Sequence, residues 1–383
     1  MKIANIIGAR QNFPKISPLL REMRRHREIH PLLVHTGQHY DEKLSDVFFR
    51  QMGIPNPEIN LEVGSGSHAW QTAEILKRIE PVLLEERPDL VLVVGDVNST
   101  VATTLAAVKI GIPVAHVEAG LRSFDRTMPE EINRVVTDSL AEYLFVTEED
   151  AIANLLHEGR PRNRIYFVGN VMIDTLRQFL PVAQQTSLVN ELGLKNGKGV
   201  NPFAVLTLHR PSNVDSMDTL RGLLRAIEAV ADIMPVIFPV HPRTSARLAG
   251  IELGRHSQLR MIPPVGYVDF LGLMSQARLV MTDSGGIQEE TTALGVPCLT
   301  LRENTERPVT VTEGTNRIVG QDPVKIRRAV DEILDRGGTQ ELRVPKLWDG
   351  HAAKRIVEIL LRDRKSSRRS MEDYPPQKFS SYP

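Results

Sequence analysis

The chain has 383 residues, enough for two or three domains of usual size. Lys plus Arg and Asp plus Glu both number 47, so the net charge is about zero and general binding to nucleic acid or acidic surfaces is not expected. No apolar run approaches the roughly twenty residues of a membrane helix, and the only cysteine, Cys298, excludes an intrachain disulfide. With no disulfide framework and no signal peptide at Met1–Gly8, the cytoplasm is the expected compartment and no membrane association is expected.

Short apolar runs alternate with helical patterns. The first half predicts strands at Lys2–Ile7, Leu32–Thr36, Leu90–Val94, Val114–Val117, Tyr143–Val146 and Arg164–Val168. Amphipathic segments lie between them near Pro14–His26, Glu42–Met52, Ala69–Glu86, Ser99–Lys109, Glu130–Ser139 and Glu148–Leu156. The polar, glycine-bearing stretch Leu192–Gly199 reads as a linker. The pattern restarts with strands at Phe203–Thr207, Pro235–Pro239, Arg260–Ile262, Arg278–Met281, Pro297–Leu301 and Arg317–Val319. Helices are predicted near Met217–Ile233, Ser245–Leu253, Tyr267–Ser275, Ile287–Leu294, Pro323–Arg336 and His351–Arg364, with a solvated polar tail after Lys365. The fold class is α/β: two Rossmann-like, doubly wound parallel-sheet domains.

Polar clusters fall at the carboxyl ends of these strands, where open α/β sheets bind ligands. Gly8-Ala9-Arg10, Gly95-Asp96 and Glu118-Ala119-Gly120 do so in the first half; His209-Arg210, His241-Pro242-Arg243 and Asp283-Ser284-Gly285-Gly286 do so in the second. Six such clusters imply two sheets facing one central cleft. Arg10, Lys15, Arg210 and Arg307 are cations suited to a diphosphate. Asp96, Glu118 and Glu130 are candidate acids and bases, and His209 and His241 can orient phosphates or move protons.

The stretch Thr282–Glu290 joins a strand to a helix start. Asp283 and Ser284 are helix-capping residue types, and Gly285 and Gly286 bare the backbone, so free N–H groups there suit a phosphate. Glu290, one turn deeper, can accept hydrogen bonds from a ribose diol. An ordinary capped helix with two packing glycines fits the same residues. Gly64–Ser67 lacks the context of a dinucleotide turn, His35, His39 and His68 lack metal-ligand spacing, and Ser284 lacks a Gly-x-Ser-x-Gly frame.

Gly8-Ala9-Arg10, Thr36–Asp41, Gly95-Asp96, His116–Arg122, Pro129–Arg134, Thr282–Glu290, Thr305–Pro308 and Glu313–Thr315 together carry a resemblance. Over nearly its whole length the chain resembles the non-hydrolysing UDP-N-acetylglucosamine 2-epimerases. The resemblance implies a GT-B-like fold and a UDP-sugar ligand, usually in a homodimer. It implies a first domain of residues 1–175 plus 351–383, the last helix packing back, and a UDP-binding domain of 200–350. Nucleotide contacts carry over onto Arg10, His209, Phe270, Ser284, Gly285, Gly286, Glu290 and Arg307. Acid–base roles carry over onto Asp96, Glu118 and Glu130, with Lys15 nearby and neither NAD nor metal required. Gln38, His39 and Gln71 are carried over as contributors to a second, activating substrate site. Gln11-Asn12 replaces the usual Pro-Glu or Pro-Gln, Pro211 replaces a frequent arginine, and Leu121–Asp125 is short. These departures look like a branch that includes epimerases of UDP-2,3-diacetamido-2,3-dideoxyglucuronate. The competing classes are a GT-B glycosyltransferase and a non-catalytic nucleotide-sugar sensor.

Overall fold

Strands buried on both faces need apolar residues at every position, and the central strands here have them. β1 (Lys2–Ile7), β2 (His30–His35), β3 (Ile59–Asn60), β4 (Leu90–Val94), β5 (Val114–Val117), β6 (Tyr143–Val146) and β7 (Ile165–Phe167) form one parallel sheet in the order β3-β2-β1-β4-β5-β6-β7. A short antiparallel ribbon, β8 (Lys195–Asn196) and β9 (Gly199–Val200), occupies the stretch expected to be a bare linker. The second sheet holds β10 (Ala204–Thr207), β11 (Val236–Pro239), β12 (Leu259–Ile262), β13 (Leu279–Thr282), β14 (Cys298–Thr300) and β15 (Asn316–Ile318). It is also parallel, in the order β12-β11-β10-β13-β14-β15. The structure, a computed structural model, describes residues 1–38, 49, 51–197, 199–240, 242–248, 258–335 and 343–373.

Each sheet reverses its winding once. The chain builds outward from β1 through β2 to β3, then returns to place β4 on the other side of β1. It does the same around β10 and β13. Adjacent loops diverge at such a reversal and leave a crevice at the strands' carboxyl ends. The crevices are flanked by Gly8–Arg10 and Gly95-Asp96 in one sheet, and by His209-Arg210 and Asp283-Ser284 in the other.

Side chains alternate across β1: Ile3 and Ile7 enter one apolar layer, Ala4 and Ile6 the other. The first layer is shared. It runs through Leu176 and Phe179, then Tyr267, Leu271 and Met274, to Val205, Ile237 and Val280 beneath the second sheet, and includes Ala352, Ile356 and Leu360. Helix Ala352–Asp373 packs on helices Phe13–Met23 and Val171–Ala183, and helix Tyr267–Ser275 also packs on Val171–Ala183. Trp348, almost wholly buried, joins Ile173 and Val309 in a small separate cluster and donates its Nε1–H to the Thr147 carbonyl at 3.0 Å.

Several elements differ from expectation. β3 and the helices Pro211–Val214 and Val309–Thr312 are too short to show a period. The last helix continues past Lys365 to Asp373. Most of the segment expected to be helical near Glu42–Met52, and the end of that near Ser245–Leu253, lie outside the described residues, as do His39 and His241. Among the described residues no helix is long and apolar enough to cross a membrane.

Candidate active site

Two strand ends of the first sheet and the helix Phe13–Met23 supply one polar cluster. β4 runs into Gly95, whose φ of +67° favours glycine and whose bare Cα faces Lys15, an added Cβ lying 3.0 Å from Nζ. The next residue is Asp96. Its carboxylate meets the Arg134 guanidinium at 2.5 Å. Burial alone would raise the Asp96 carboxyl; Arg134, Lys15 and Arg307 outweigh it and hold the group below its ordinary value, ionised. Arg134 lies one turn into helix Pro129–Leu140, where Glu131 also holds it at 2.6 Å. Glu131 in turn accepts from Ser123 N and Phe124 N, both at 2.9 Å.

β5 runs into Glu118, a non-glycine residue with φ of +72°. That backbone costs on the order of 1–2 kcal/mol. It lets both Glu118 N and Ala119 N donate to the Phe145 carbonyl at 3.1 Å and turns the side chain into the cluster. There the Lys15 ammonium pairs with Glu118 Oε2 at 2.6 Å. Glu118 Oε1 is buried and has no hydrogen-bond partner among the described residues.

The second sheet reaches into the same cluster. Arg307 Nη2 lies 3.5 Å from Glu118 Oε2, while its Nε pairs with buried Glu289. Burial would lower the Arg307 guanidinium; Glu289, Glu118 and Glu306 more than offset this and keep it charged. A looser contact joins the halves at Arg210 Nη1, 4.0 Å from Glu130 Oε1. Arg210 also faces Glu306 at 3.5 Å, and Arg302 holds Glu306 at 2.9 Å. Glu306 lies against Gly285, where an added Cβ would approach its Oε1 to 2.6 Å; at Gly286 an added Cβ would meet only Met172 Cε, at 3.8 Å.

Asp283 does not cap the helix that follows. Helix Gly285–Leu294 begins with Ser284 at the cap position and no side-chain cap bond. The buried Asp283 carboxylate instead accepts from His209 N and Arg210 N at 3.0 and 2.9 Å, from Asn213 Nδ2 at 3.1 Å, and pairs with His209 Nδ1 at 2.9 Å. Burial would raise this carboxyl; His209 and the two N–H groups bring it below its usual value. Asp283 therefore shapes the neighbouring His209-Arg210 loop and fixes one imidazole nitrogen. Ser284 N donates to Thr282 Oγ1 at 3.0 Å.

The structure thus gathers Lys15, Asp96, Glu118, Arg307, Arg210 and Glu130 along one seam, with His209, Ser284 and Gly285 on its second-sheet side. Glu290 and Phe270 lie further along: Tyr267 Oη donates to Glu290 Oε1 at 2.7 Å, and Phe270 is half-buried on the same helix as Tyr267. Burial pushes the Glu290 carboxyl up to about 7 despite Tyr267. Arg10 is half-buried on the turn Arg10–Asn12. Gln38 and Gln71 belong to a buried network of the first sheet that leads to the Asp96 turn: Gln71 Nε2 donates to the Gln38 carbonyl at 3.0 Å, Gln38 Oε1 accepts from Ser99, and Asn98 Nδ2 donates to Gln71 Oε1 at 2.9 Å while Asn98 Oδ1 accepts from Asn133, which also donates to the Asp96 carbonyl. Sequence reasoning gave no role to Arg134, Glu289, Arg302 or Glu306. A signal existed for Arg134: Glu131 and Arg134 stand three apart at a helix start, a spacing that pairs opposite charges.

Comparison with known proteins places this geometry in context. A family model described as UDP-N-acetylglucosamine 2-epimerase matches residues 21–361. The chain is 43% identical to UDP-N-acetylglucosamine 2-epimerase of Methanocaldococcus jannaschii over 94% of its own length and 99% of the relative's. It is 42% identical to UDP-2,3-diacetamido-2,3-dideoxy-D-glucuronate 2-epimerase of Pseudomonas aeruginosa, with the same coverage of both chains. Its fold is similar to the crystal structure of the Methanocaldococcus jannaschii enzyme in complex with UDP-GlcNAc and UDP, with a TM-score of 0.86 at 42% identity, covering 94% of this chain and 99% of that one.

Proposed function

Since this chain belongs to the UDP-N-acetylglucosamine 2-epimerase family, we propose that it inverts C2 of a UDP-2-acetamido sugar without releasing the sugar. The observation that carries the reading is the shared seam: two carboxylates, Asp96 and Glu118, lie among cations from both sheets. A C2–H with no neighbouring carbonyl is not acidic, so the leaving group must depart first. The C1–O bond breaks with its electron pair going to the UDP oxygen, leaving an oxocarbenium-like C1. A carboxylate then takes the C2 proton and a C1=C2 glycal forms. A proton delivered to the opposite face of C2, with UDP re-adding at C1, completes the inversion.

Each step asks for a particular kind of group, and these are the proposed assignments. Arg10, Lys15, Arg210, His241, Arg307, the Ser284 hydroxyl and the N–H groups of Gly285 and Gly286 hold the departing diphosphate. Glu290 takes the ribose and Phe270 contacts the nucleotide. Asp96, Glu118 and Glu130, with His209, handle the protons. Closure across the seam keeps water from the cationic carbon. As proposed, the scheme draws on neither NAD nor a metal; full turnover by enzyme treated with EDTA and freed of nucleotide cofactor checks that.

Incubation with UDP-N-acetylglucosamine in D₂O, read by NMR, is the test. Product UDP-N-acetylmannosamine carrying deuterium at C2 supports the reading. Free N-acetylmannosamine with UDP would mean a hydrolysing enzyme, sugar transfer without C2 exchange a glycosyltransferase, and binding without turnover a sensor. The near-equal identities to relatives named for two sugars, 43% and 42%, favour running UDP-2,3-diacetamido-2,3-dideoxyglucuronate in parallel. Gln38, His39 and Gln71 are proposed contributors to substrate activation, for which sigmoidal initial rates are the readout. A homodimer, checked by sedimentation, and a cytoplasmic location complete the proposal.

A further inference from the structure

Three successive carbonyls carry the turn that presents Asp96, and each receives a hydrogen bond from a buried side chain of another element. Val94 O accepts from Asn12 Nδ2 at 3.0 Å, with Thr100 Oγ1 adding a longer bond of 3.2 Å. Gly95 O accepts from His116 Nε2 at 2.9 Å. Asp96 O accepts from Asn133 Nδ2 at 2.9 Å. Asn12 and His116 are fully buried and Asn133 nearly so. A left-handed residue such as Gly95 swings its carbonyl out of the sheet ladder, so these oxygens need donors supplied from elsewhere. Asn12 is tied at its other end too: its Oδ1 accepts from Gly8 N and Ala9 N, both at 3.0 Å. The carboxamide therefore couples the Arg10 turn to the Asp96 turn across the β1–β4 reversal. Only an amide satisfies both ends, because a carboxylate at this position would face the Val94 carbonyl with no proton to offer. His116 is likewise fixed from behind, with Nδ1 at 2.6 Å from Asp138 Oδ1, while Arg122 Nη2 at 2.8 Å and Gly120 N at 2.9 Å hold Asp138 Oδ2.

We infer that Asn12 and His116 are positioning residues that aim the Asp96 carboxylate at the reacting sugar while leaving nucleotide affinity to other groups. The kinetic part of the test rests on the epimerase reading; the crystallographic part does not. In Asn12→Asp, the nearest isostere, and in His116→Gln, kcat is expected to fall about 100-fold, the size of a misplacement near 1 Å. UDP affinity should stay within about twofold and the melting temperature near that of wild type. The deficit of Asn12→Asp, relative to wild type at the same pH, should narrow as pH falls, because the protonated side chain regains a donor for Val94 O. That of Asn12→Ala should not. A kcat within about twofold of wild type in both Asn12→Asp and His116→Gln overturns the inference. So does UDP affinity or melting temperature falling in step with kcat, which would make the role merely structural. If wild type exchanges no C2 proton on either sugar, the epimerase reading fails and crystals of the Asn12→Asp variant decide. A displaced Val94–Asp96 peptide supports the positioning role, and an unmoved one rejects it.

Discussion

Glu118 joins a left-handed backbone, a buried carboxylate and two cationic neighbours from different halves of the chain. Strain of this kind persists where the surroundings over-determine it, and here the doubled bond to Phe145 O does so. Glu118→Gln and Asp96→Asn keep size and shape while removing proton transfer, so each should bind UDP about normally and lose turnover by about 100-fold or more. Isothermal titration and NMR rates check the two halves of that statement. Sequence reading found both carboxylates from their places after apolar runs. It could not find Arg134 as the partner of Asp96, because that pairing depends on how helix Pro129–Leu140 approaches β4 in space. Another residue-scale property concerns stability. Buried His35 accepts from Gly37 N at its Nδ1 (2.9 Å), and burial lowers its imidazolium to about 4. The folded pKa lies below the unfolded one near 6.5, so the unfolded chain takes up the proton first as pH falls. Stability held above pH 6.5 is then lost progressively down to about pH 4, by about 3 kcal/mol in all. Urea melts at pH 7.5 and 5 should show this loss in wild type and a shallower one in His35→Gln.

Among elements, helix Gly285–Leu294 separates two uses of glycine. At Gly285 an added methyl would strike the Glu306 carboxylate, which Arg302 and Arg210 also contact. Gly285→Ala should lower the melting temperature and weaken UDP binding together. At Gly286 the methyl has room, Met172 Cε at 3.8 Å being its nearest neighbour. Gly286→Ala should keep its melting temperature yet lose UDP affinity about tenfold or more, since the bare backbone is proposed to be the phosphate's seat. Thermal melts paired with titrations tell the cases apart. The helix and its glycines were legible from the strand-turn-helix pattern. Asp283 was not read correctly, because a short acid before a helix looks like a cap whether it bonds forward or, as here, sideways to His209 and Arg210. β3 escaped for a different reason: two residues carry no alternation.

At the scale of the molecule, two parallel sheets follow from the alternation of strands and helices, which a single sequence displays well, whereas the order of strands within each sheet does not follow from it. What it does not display is how the halves meet, since Thr147, Ile173, Val309 and Trp348 come from four distant stretches. Trp348→Ala empties the cluster that ties the segment before the last helix to the first sheet's end. A loss of about 3–5 kcal/mol is expected for a buried tryptophan, seen as a lower denaturant midpoint. Cleft geometry should loosen with it, so UDP binding should weaken even though Trp348 touches none of the seam's charges.

Arg307 is shared between Glu289 in its own half and Glu118 opposite. If the diphosphate is seated on Arg307 as proposed, it and the acid on the far wall compete for one guanidinium. Arrival of the nucleotide is then a counter-ion exchange that takes one of the acid's two cations and leaves Lys15 paired with the acid at 2.6 Å. In stopped-flow mixing with UDP, such an exchange would be seen as an association rate that levels off at high nucleotide instead of rising without limit.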